Sequence, residues 1–553
     1  MRDLKKSDPP PYWKAVFVAL LGMGAEGAAL AQSPGTPAAA TVPVAAAPDA
    51  DASRPVDILE YIVRGNSVLD ARTIERAVTP FMGPRRTMKD IEGARDALLA
   101  VYQAKGFQSV YVDLPEQQVT EGIVFLQVNE TRVGRVRVVG AQYNSPTEVR
   151  EQVPALQEGI VPDFNQAQNE LTALNRGGKR QVMPLVRQGA LPGTMDVDLK
   201  VEDSSPWRYS FGLNNDYSAD TKRLRTTASI GHDNLWQLGH SASISFYGTP
   251  EDFSQTKVWS GSYTAPLANS NWAIEASGYV SDSNVATLGG TDVLGKGHSV
   301  GVKATYSIPN AGDWWHTVSL GVDFKDSEEI LRLGGFAGTP GSLQYAPLTF
   351  AYSGFTQTER SQYSLGLQLV TGTRSFFGYG SSVQEFDDKR FKASPSFTLL
   401  KADINGSYTF EGNSQVGFRL SGQLTDSPLV SGEQMSAGGL NTVRGYLSSE
   451  STGDFGLVGS LEWRTRVFDT SASFAPWLES WRAYVFADAA QLRLRSPLPQ
   501  QDDSFPMASV GVGSSFRLGS NVSGRVDLGY PLRDGARTER HSPRLTFNVN
   551  ASY

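Results

Sequence analysis

The sequence contains no cysteine, which excludes disulfides, zinc–thiolate centres and thiol nucleophiles. Its five histidines, His232, His240, His298, His316 and His541, show no H-E-x-x-H or other ligand spacing, so no metal and no cofactor is expected. A basic surplus is missing too: 50 Lys and Arg against 57 Asp and Glu leave a formal net charge of −7. That is the wrong sign for a nucleic-acid binder, and no nucleic-acid partner is expected. Long apolar runs are also absent. The run from Ala15 to Ala25 falls short of the about 20 residues that a membrane-spanning helix needs, and no other stretch reaches that length. What the 553 residues do hold in quantity is glycine (55) and aromatic side chains (26 Phe, 20 Tyr and 10 Trp), a composition suited to alternating strands.

Arg2, Lys5, Lys6 and Lys14 precede the short apolar run, and Ala29-Leu30-Ala31 follows it with the small-x-small form of a signal-peptidase site. Residues 1–31 therefore read as a signal peptide. The chain is exported, and any membrane it occupies must be crossed by strands. Residues 32–55 read as an Ala/Pro-rich linker, because Pro34, Pro37, Pro43, Pro48 and Pro55 prevent a stable helix despite the alanine content.

From Ile58 to about Asp203 one pattern occurs twice. In the first copy a strand (Ile58–Arg64) turns at Gly65-Asn66. A short helix follows, with Asp70 as N-cap and Ile74, Val78 and Phe81 on one face. A second helix starts at Thr87, with Asp90 completing a capping box and Gly106 placed to end it. Strands Gln108–Leu114 and Gly122–Asn129 close the unit. The second copy runs strand Arg132–Val139, helices from Thr147 and Asp163, and strands Arg180–Arg187 and Met195–Asp203. Both are β-α-α-β-β units, assigned to residues 56–130 and 131–205. Such a unit covers one sheet face with helices and leaves sheet edges open, where a partner can add a strand through backbone hydrogen bonds.

From Trp207 onward, strict alternation replaces helical periodicity. Val416, Phe418, Leu420 and Leu424 alternate with Gly417, Arg419, Ser421 and Gln423. Val510, Val512, Phe516 and Leu518 alternate with Ser509, Gly511, Ser515 and Arg517. The chain ends on Leu545, Phe547, Val549, Ala551 and Tyr553 against Arg544, Thr546, Asn548, Asn550 and Ser552. One apolar face and one charged face, strand after strand, fit a barrel in lipid with a wet lumen. Residues 206–553 provide about 16 antiparallel strands on the length rule for such barrels. Tyr553 is expected in an interfacial aromatic girdle, and the segments Ser281–Lys296 and Leu331–Pro347 as long polar loops at the outer end.

Enzyme motifs are weak. Gly297-His298-Ser299-Val300-Gly301 matches G-x-S-x-G, but that elbow needs a sharp strand-to-helix turn. Here Val300, Val302, Ala304 and Tyr306 continue a strand. Gly290 to Lys296 resembles a phosphate-binding loop, yet Gly297 stands where Ser or Thr should bind magnesium, and no helix follows. The reading is therefore not an enzyme.

One segment breaks the alternation: Ser431-Gly432-Glu433-Gln434 and, after Gly438-Gly439-Leu440-Asn441-Thr442, Val443-Arg444-Gly445-Tyr446. Further on, Tyr484-Val485-Phe486-Ala487-Asp488 places a carboxylate on a late strand. With the two units before them, these resemble the two-partner secretion transporters of the outer membrane, the haemolysin-activator (TpsB) type, within the outer-membrane insertase superfamily. Val443, Arg444, Gly445 and Tyr446 match the family's V-R-G-Y loop motif residue for residue, and Phe486 and Asp488 match its F-x-D motif on the barrel wall. Gln181-Val182-Met183-Pro184, with Gly189 and Pro192-Gly193, resembles the family's second periplasmic domain.

The resemblance implies a mainly β protein: two periplasmic POTRA domains, then a transmembrane barrel with a pore loop at 431–455, in the outer membrane of a Gram-negative bacterium. It implies secretion of a large unfolded partner exoprotein of haemolysin or adhesin type, extending in this family to activation of that cargo. The cargo's N-terminal secretion domain would dock on the POTRA domains, and the chain would thread past the displaced loop. The other implied partners are outer-membrane lipid and periplasmic chaperones. Members often carry an N-terminal plug helix, for which residues 32–55 are too short and too rich in proline. Arg444 is implied to pair with Asp488; as solvated lumen charges the two would contribute about 0–1 kcal/mol, and exchanging them would restore part of a lost contact. Residue patterns alone support the export signal, the repeat and the barrel; protein transport rests on the resemblance. The alternatives are a barrel insertase of the same superfamily, which would usually carry more POTRA domains, a passive porin, and a lipid-hydrolysing barrel built on Ser299.

Overall fold

A computed structural model describes residues 55–553 apart from 120, 176–179, 269, 284–285, 288–292, 295, 310–311, 329–331, 334–335, 338–341 and 470–476. The leader, nearly all of the linker and most of the Gly290–Lys296 segment lie outside the described residues.

The first unit contains β1 (Val56–Ile58), β2 (Glu60–Arg64), α1 (Ala71–Val78), β3 (Gly83–Arg86), α2 (Met88–Ala104), β4 (Val110–Asp113) and β5 (Ile123–Glu130). Asp70 caps α1 by accepting from the Thr73 amide. Thr87 and Asp90 form the reciprocal capping box of α2, satisfying two amides that a helix start leaves unpaired. The structure departs from the sequence reading in two places here. The strand taken as Ile58–Arg64 is broken at Leu59: β1 leaves the main sheet and pairs with β3, which the sequence reading missed. Phe81 lies beyond α1, in a 3-10 turn.

The second unit contains β6 (Arg132–Val139), α3 (Pro146–Glu151), α4 (Phe164–Leu174), β7 (Arg180–Gln188) and β8 (Thr194–Asp203). The sheets run β2-β5-β4 and β6-β8-β7, each with one parallel and one antiparallel pair. Their outer strands therefore keep unpaired edges within the sheet. Val197, Leu199 and Val201 of β8 are buried in the second core, while Asp198, on the opposite face, binds Arg137 and Arg187. The two units are packed together. Val161 enters the first unit's core, and the Phe164 amide donates to the Gly106 carbonyl at 2.9 Å.

The remaining chain is a closed antiparallel barrel. Its sixteen staves are β9 (Trp207–Asn214), β10 (Arg225–Leu235), β11 (His240–Gly248), β12 (Thr256–Pro266), β13 (Trp272–Ser283), β14 (Gly297–Ile308), β15 (Trp314–Ser327), β16 (Leu348–Gln357), β17 (Ser361–Thr371), β18 (Thr398–Thr409), β19 (Gln415–Thr425), β20 (Phe455–Arg464), β21 (Leu478–Arg493), β22 (Ser504–Leu518), β23 (Val522–Pro531) and β24 (Arg544–Ser552). β24 closes on β9 from Asn548–Asn214 to Ser552–Ser210. Leu343–Tyr345, expected within a loop, instead continues the pairing of β15. Ser299 lies inside β14, a continuous strand and not an elbow.

The apolar set of each stave faces outward, as Ile244, Leu320, Leu461 and Leu545 do. Closure pairs every stave on both sides, which lipid demands because it supplies no hydrogen bonds. Trp207, Trp236, Trp272, Trp463, Trp477 and Tyr553 are exposed at the end nearest the N-terminal units, where indole and phenol suit a lipid–water boundary. The second unit docks on that end. Asn234, near the end of β10, and Gln237, in the β10–β11 connection, bond Asn144, Tyr143 and Ser145. Partial burial raises the Asp203 pKa, but hydrogen bonds from Asn144, Gln142 and Tyr143 outweigh it and hold the carboxyl below the usual carboxylate range. That ionised group fixes residues 142–144 for docking.

The joint between the units makes a specific demand. Gly106 has φ +93°, and a Cβ there would lie 2.1 Å from Asp163 Oδ1. Gly106→Val is expected to cost about 1–3 kcal/mol in backbone strain alone. Limited proteolysis of the detergent-folded chain should show new cleavage between the units, with the barrel intact.

Candidate functional site: a loop folded into the barrel

The β19–β20 connection, residues 426–454, leaves the end of the barrel far from the N-terminal units and turns back into the lumen. A short hairpin, Met435–Ala437 with Ser451–Gly453, forms its stem. Gln423 Nε2 donates to the carbonyls of Glu433 and Asp454, both at 2.9 Å, and so ties the two sides of the stem together. The Asp454 carboxylate accepts from the Leu429 and Arg495 amides, from Gln434 Nε2 and from Arg390 Nη2.

The loop's apolar residues have a matching wall. Met435, Ala437, Val443 and Tyr446 pack against Val458, Ala490, Leu492 and Met507. These four inward-facing apolar side chains are exceptions to the polar lumen face. Burying them under the loop removes them from water and favours the docked position.

Arg444 sits at the centre, 1 % exposed, facing Asp488 at 2 %. Its Nε and Nη2 donate to Asp488 Oδ2 and Oδ1, each at 2.8 Å, and its backbone amide donates to Oδ2 at 3.0 Å. Nη1 reaches Glu462 Oε1 at 2.6 Å and Asp527 Oδ1 at 3.4 Å, and Nη2 donates to Ser460 Oγ at 3.1 Å. The guanidinium lies 3.5 Å from the centre of the Phe486 ring, a cation–π contact without competing water. Val443 packs into the apolar patch. Gly445 has φ +95° and lies on Gly529 of β23, where an added Cβ would come 2.5 Å from the Gly445 nitrogen. The Tyr446 hydroxyl bonds the carbonyls of Ala508 and Arg533 at 3.1 and 2.8 Å. All six residues singled out in the sequence meet in this one place.

The solvated-pair reading is corrected. Side-chain exposure is 0 % for both Arg444 and Asp488, because the loop's apolar face and the Phe486 ring cover them. Removing one partner of a buried pair costs about 3–5 kcal/mol, well above the value for a solvated pair. The exchange reading falls with it: an aspartate at 444 would face Glu462 and Asp527 as well as the new arginine.

Residues 193–516 match the family described as haemolysin secretion/activation protein ShlB/FhaC/HecB. The chain belongs to that family. Residues 56–131 match the ShlB-type POTRA domain. The outer membrane transporter CdiB of Escherichia coli is 22 % identical over 500 residues, spanning 86 % of this chain and 79 % of that protein. The solved CdiB from Escherichia coli superposes with a TM-score of 0.60 at 18 % identity, over 96 % of this chain and 93 % of that one. BamA from Haemophilus ducreyi lacking POTRA domains 1–3 gives 0.53 at 14 % identity, over 90 % and 100 %. At those identities the structures speak to the fold. The family is one of outer-membrane transporters with POTRA domains in the periplasm, so the barrel's far end is extracellular.

Sequence reasoning missed the rest of this family member's loop site. Glu462 and Asp527 stand in the polar phase of β20 and β23, but nothing in their spacing shows that they converge on Arg444. At the other end of the stem, Glu433 accepts from Lys325 Nζ at 2.6 Å and from the Tyr345 hydroxyl at 3.0 Å. These groups lie far apart in sequence.

Loss of either partner shifts the docked loop's equilibrium by about a hundredfold or more. Arg444→Ala and Asp488→Ala should insert normally and keep heat-modifiability, since the barrel ladder is untouched, but show raised conductance in planar bilayers. The exchange variant, Arg444→Asp with Asp488→Arg, should conduct like the single variants; a return to the resting conductance would mean that Glu462 and Asp527 do not matter.

Proposed function

We propose that the chain secretes a large, unfolded partner exoprotein across the outer membrane, with the Arg444 loop as its gate. The observation that carries this reading is a loop anchored by one buried arginine inside a barrel that has two β-α-α-β-β units docked at its periplasmic mouth. Residues 56–130 and 131–205 act as the two POTRA domains, after a cleaved leader and linker.

The cargo reaches the periplasm unfolded, kept so by chaperones. Its N-terminal secretion domain adds a strand to an open edge of one of the two sheets, a mode in which backbone bonds give affinity without demanding one sequence. The docked units bring it under the barrel. The loop tip leaves Asp488, Glu462 and Asp527, and the chain passes through the space vacated. Folding outside biases the direction, because a folded chain cannot return. Such transport needs no bond-making step, and the reading assigns no residue a catalytic role. The edges of the two sheets and the retractable loop favour protein cargo over the passive-porin reading.

Deleting Ile58–Asp203 removes the proposed capture surface and no barrel stave. The shortened protein should insert, remain heat-modifiable and export no cargo, read by immunoblot of the medium against the wild type. Export at wild-type level would place docking elsewhere.

A further inference from the structure

The Arg444 contact holds only the tip of the loop. Its root is held separately, on another part of the wall. Lys325 Nζ lies 2.6 Å from Glu433 Oε1, with side-chain exposures of 22 % and 3 %, and the Tyr345 hydroxyl donates to the same oxygen. Lys325 is on β15 and Asp488 on β21, six staves apart in the ring of sixteen. The two ion pairs therefore grip the loop from separated sides of the lumen.

Both partners of Glu433 also touch the extracellular segment 372–397. That segment carries α5 (Val383–Lys389), whose N-cap Ser382 forms a capping box with Glu385. Phe386 and Phe397 pack with Leu343, Tyr345, Val370, Leu399, Leu429 and Val430 in one buried cluster. The Tyr345 ring meets Phe386 and Phe397 edge-on, with centroids 5.7 and 6.3 Å apart. The Tyr379 hydroxyl donates to the Lys325 carbonyl at 3.0 Å. Arg390, just beyond α5, reaches Asp454 at the other side of the stem. Segment 372–397 is thus a cap that rests on the root of the loop.

We propose that Lys325 and Glu433 form a second latch, which positions the root of the pore loop and couples it to this cap. The proposal rests on the gating reading given above. In the resting state the root latch sets the direction of the stem, so that Arg444 meets Asp488. Without Lys325, the Glu433 carboxylate keeps the Tyr345 hydroxyl but loses its charge partner in a nearly water-free position, a costly state that favours movement of the stem. The cap then loses part of the surface beneath Tyr345 and Tyr379. Among the described residues Glu433 is the one acid bonded to Lys325, and the nearby Asp323 feels both charges without bonding either, so exchanging the two charges can preserve most of the latch. The Arg444 site lacks that property.

The test uses the full-length protein in planar bilayers without cargo. Lys325→Met and Glu433→Gln should each raise the frequency of channel openings about tenfold or more, less than for the Arg444 pair because Lys325 keeps 22 % of its side chain exposed. Tyr345→Phe should raise it less. The exchange variant, Lys325→Glu with Glu433→Lys, should return it toward the wild type. On intact cells, trypsin should cut within residues 372–397 faster in the single variants than in the wild type or the exchange variant. A protein deleted for Gly439–Ser448 is the control. If it conducts freely while both single variants keep wild-type opening and wild-type cap cleavage, the latch is overturned and the gate stands. If it stays closed, the gating reading fails and the latch falls with it.

Discussion

A guanidinium with no exposed surface persists inside a protein only if its charge and its donors are met there, and at Arg444 carboxylates meet them. That constraint organises the lumen. Arg444 draws Asp488 from β21, Glu462 from β20 and Asp527 from β23. Glu462 is bonded in turn by Arg464, and Asp527 approaches Arg525 at 3.7 Å. Gly445 and Gly529 are what their positions require, since the loop backbone lies directly on the wall there. Gly511 is similarly constrained: an added Cβ would lie 2.3 Å from the Phe486 ring that supports the guanidinium. The proposed gating needs this arrangement to come apart, and the wall is suited to it: once the arginine has gone with the loop into water, three acids would remain with Arg464 and Arg525 to offset two of them.

Two solvents shape the barrel. Lipid sets the outer face, where apolar residues recur at every second position and closure leaves no edge. Water sets most of the lumen, and there the exceptions mark the site. Val458, Ala490, Leu492 and Met507 face inward because the loop, and not water, covers them. At the periplasmic mouth the second β-α-α-β-β unit is held through the Tyr143 carbonyl, the Asn144 side chain and the Ser145 amide against Asn234 and Gln237 of the barrel. On the proposed reading, capture takes place at the periplasmic mouth and gating inside the lumen.

Much of this was readable in the sequence. Alternation at period two gave the staves, and caps such as Asp70, Thr87 and Asp163 fixed helix starts, because both signals are local. β3 was hidden: Gly83-Pro84-Arg85-Arg86 has no strand propensity and pairs only because β1 offers it an edge. Val443–Tyr446 and Phe486–Asp488 were visible through a family motif, yet their dryness was not, since it comes from apolar wall residues on other staves. Glu462, Asp527 and the Lys325–Glu433 contact are products of register and closure. No spacing along one strand encodes a meeting across the lumen.

The central claim is that cargo passes only when the loop leaves its seat. The Ser448 amide donates to the Tyr217 carbonyl at 3.0 Å, which puts these two positions side by side between the loop and the β9–β10 connection. The chain has no cysteine of its own, so Tyr217→Cys with Ser448→Cys introduces one unambiguous tether. Secretion by that double variant, measured with the bridge oxidised and again after reduction, is the direct measurement. The account predicts no export while the bridge is closed and recovery when it is opened. Export at an unchanged rate through the bridged protein would contradict it.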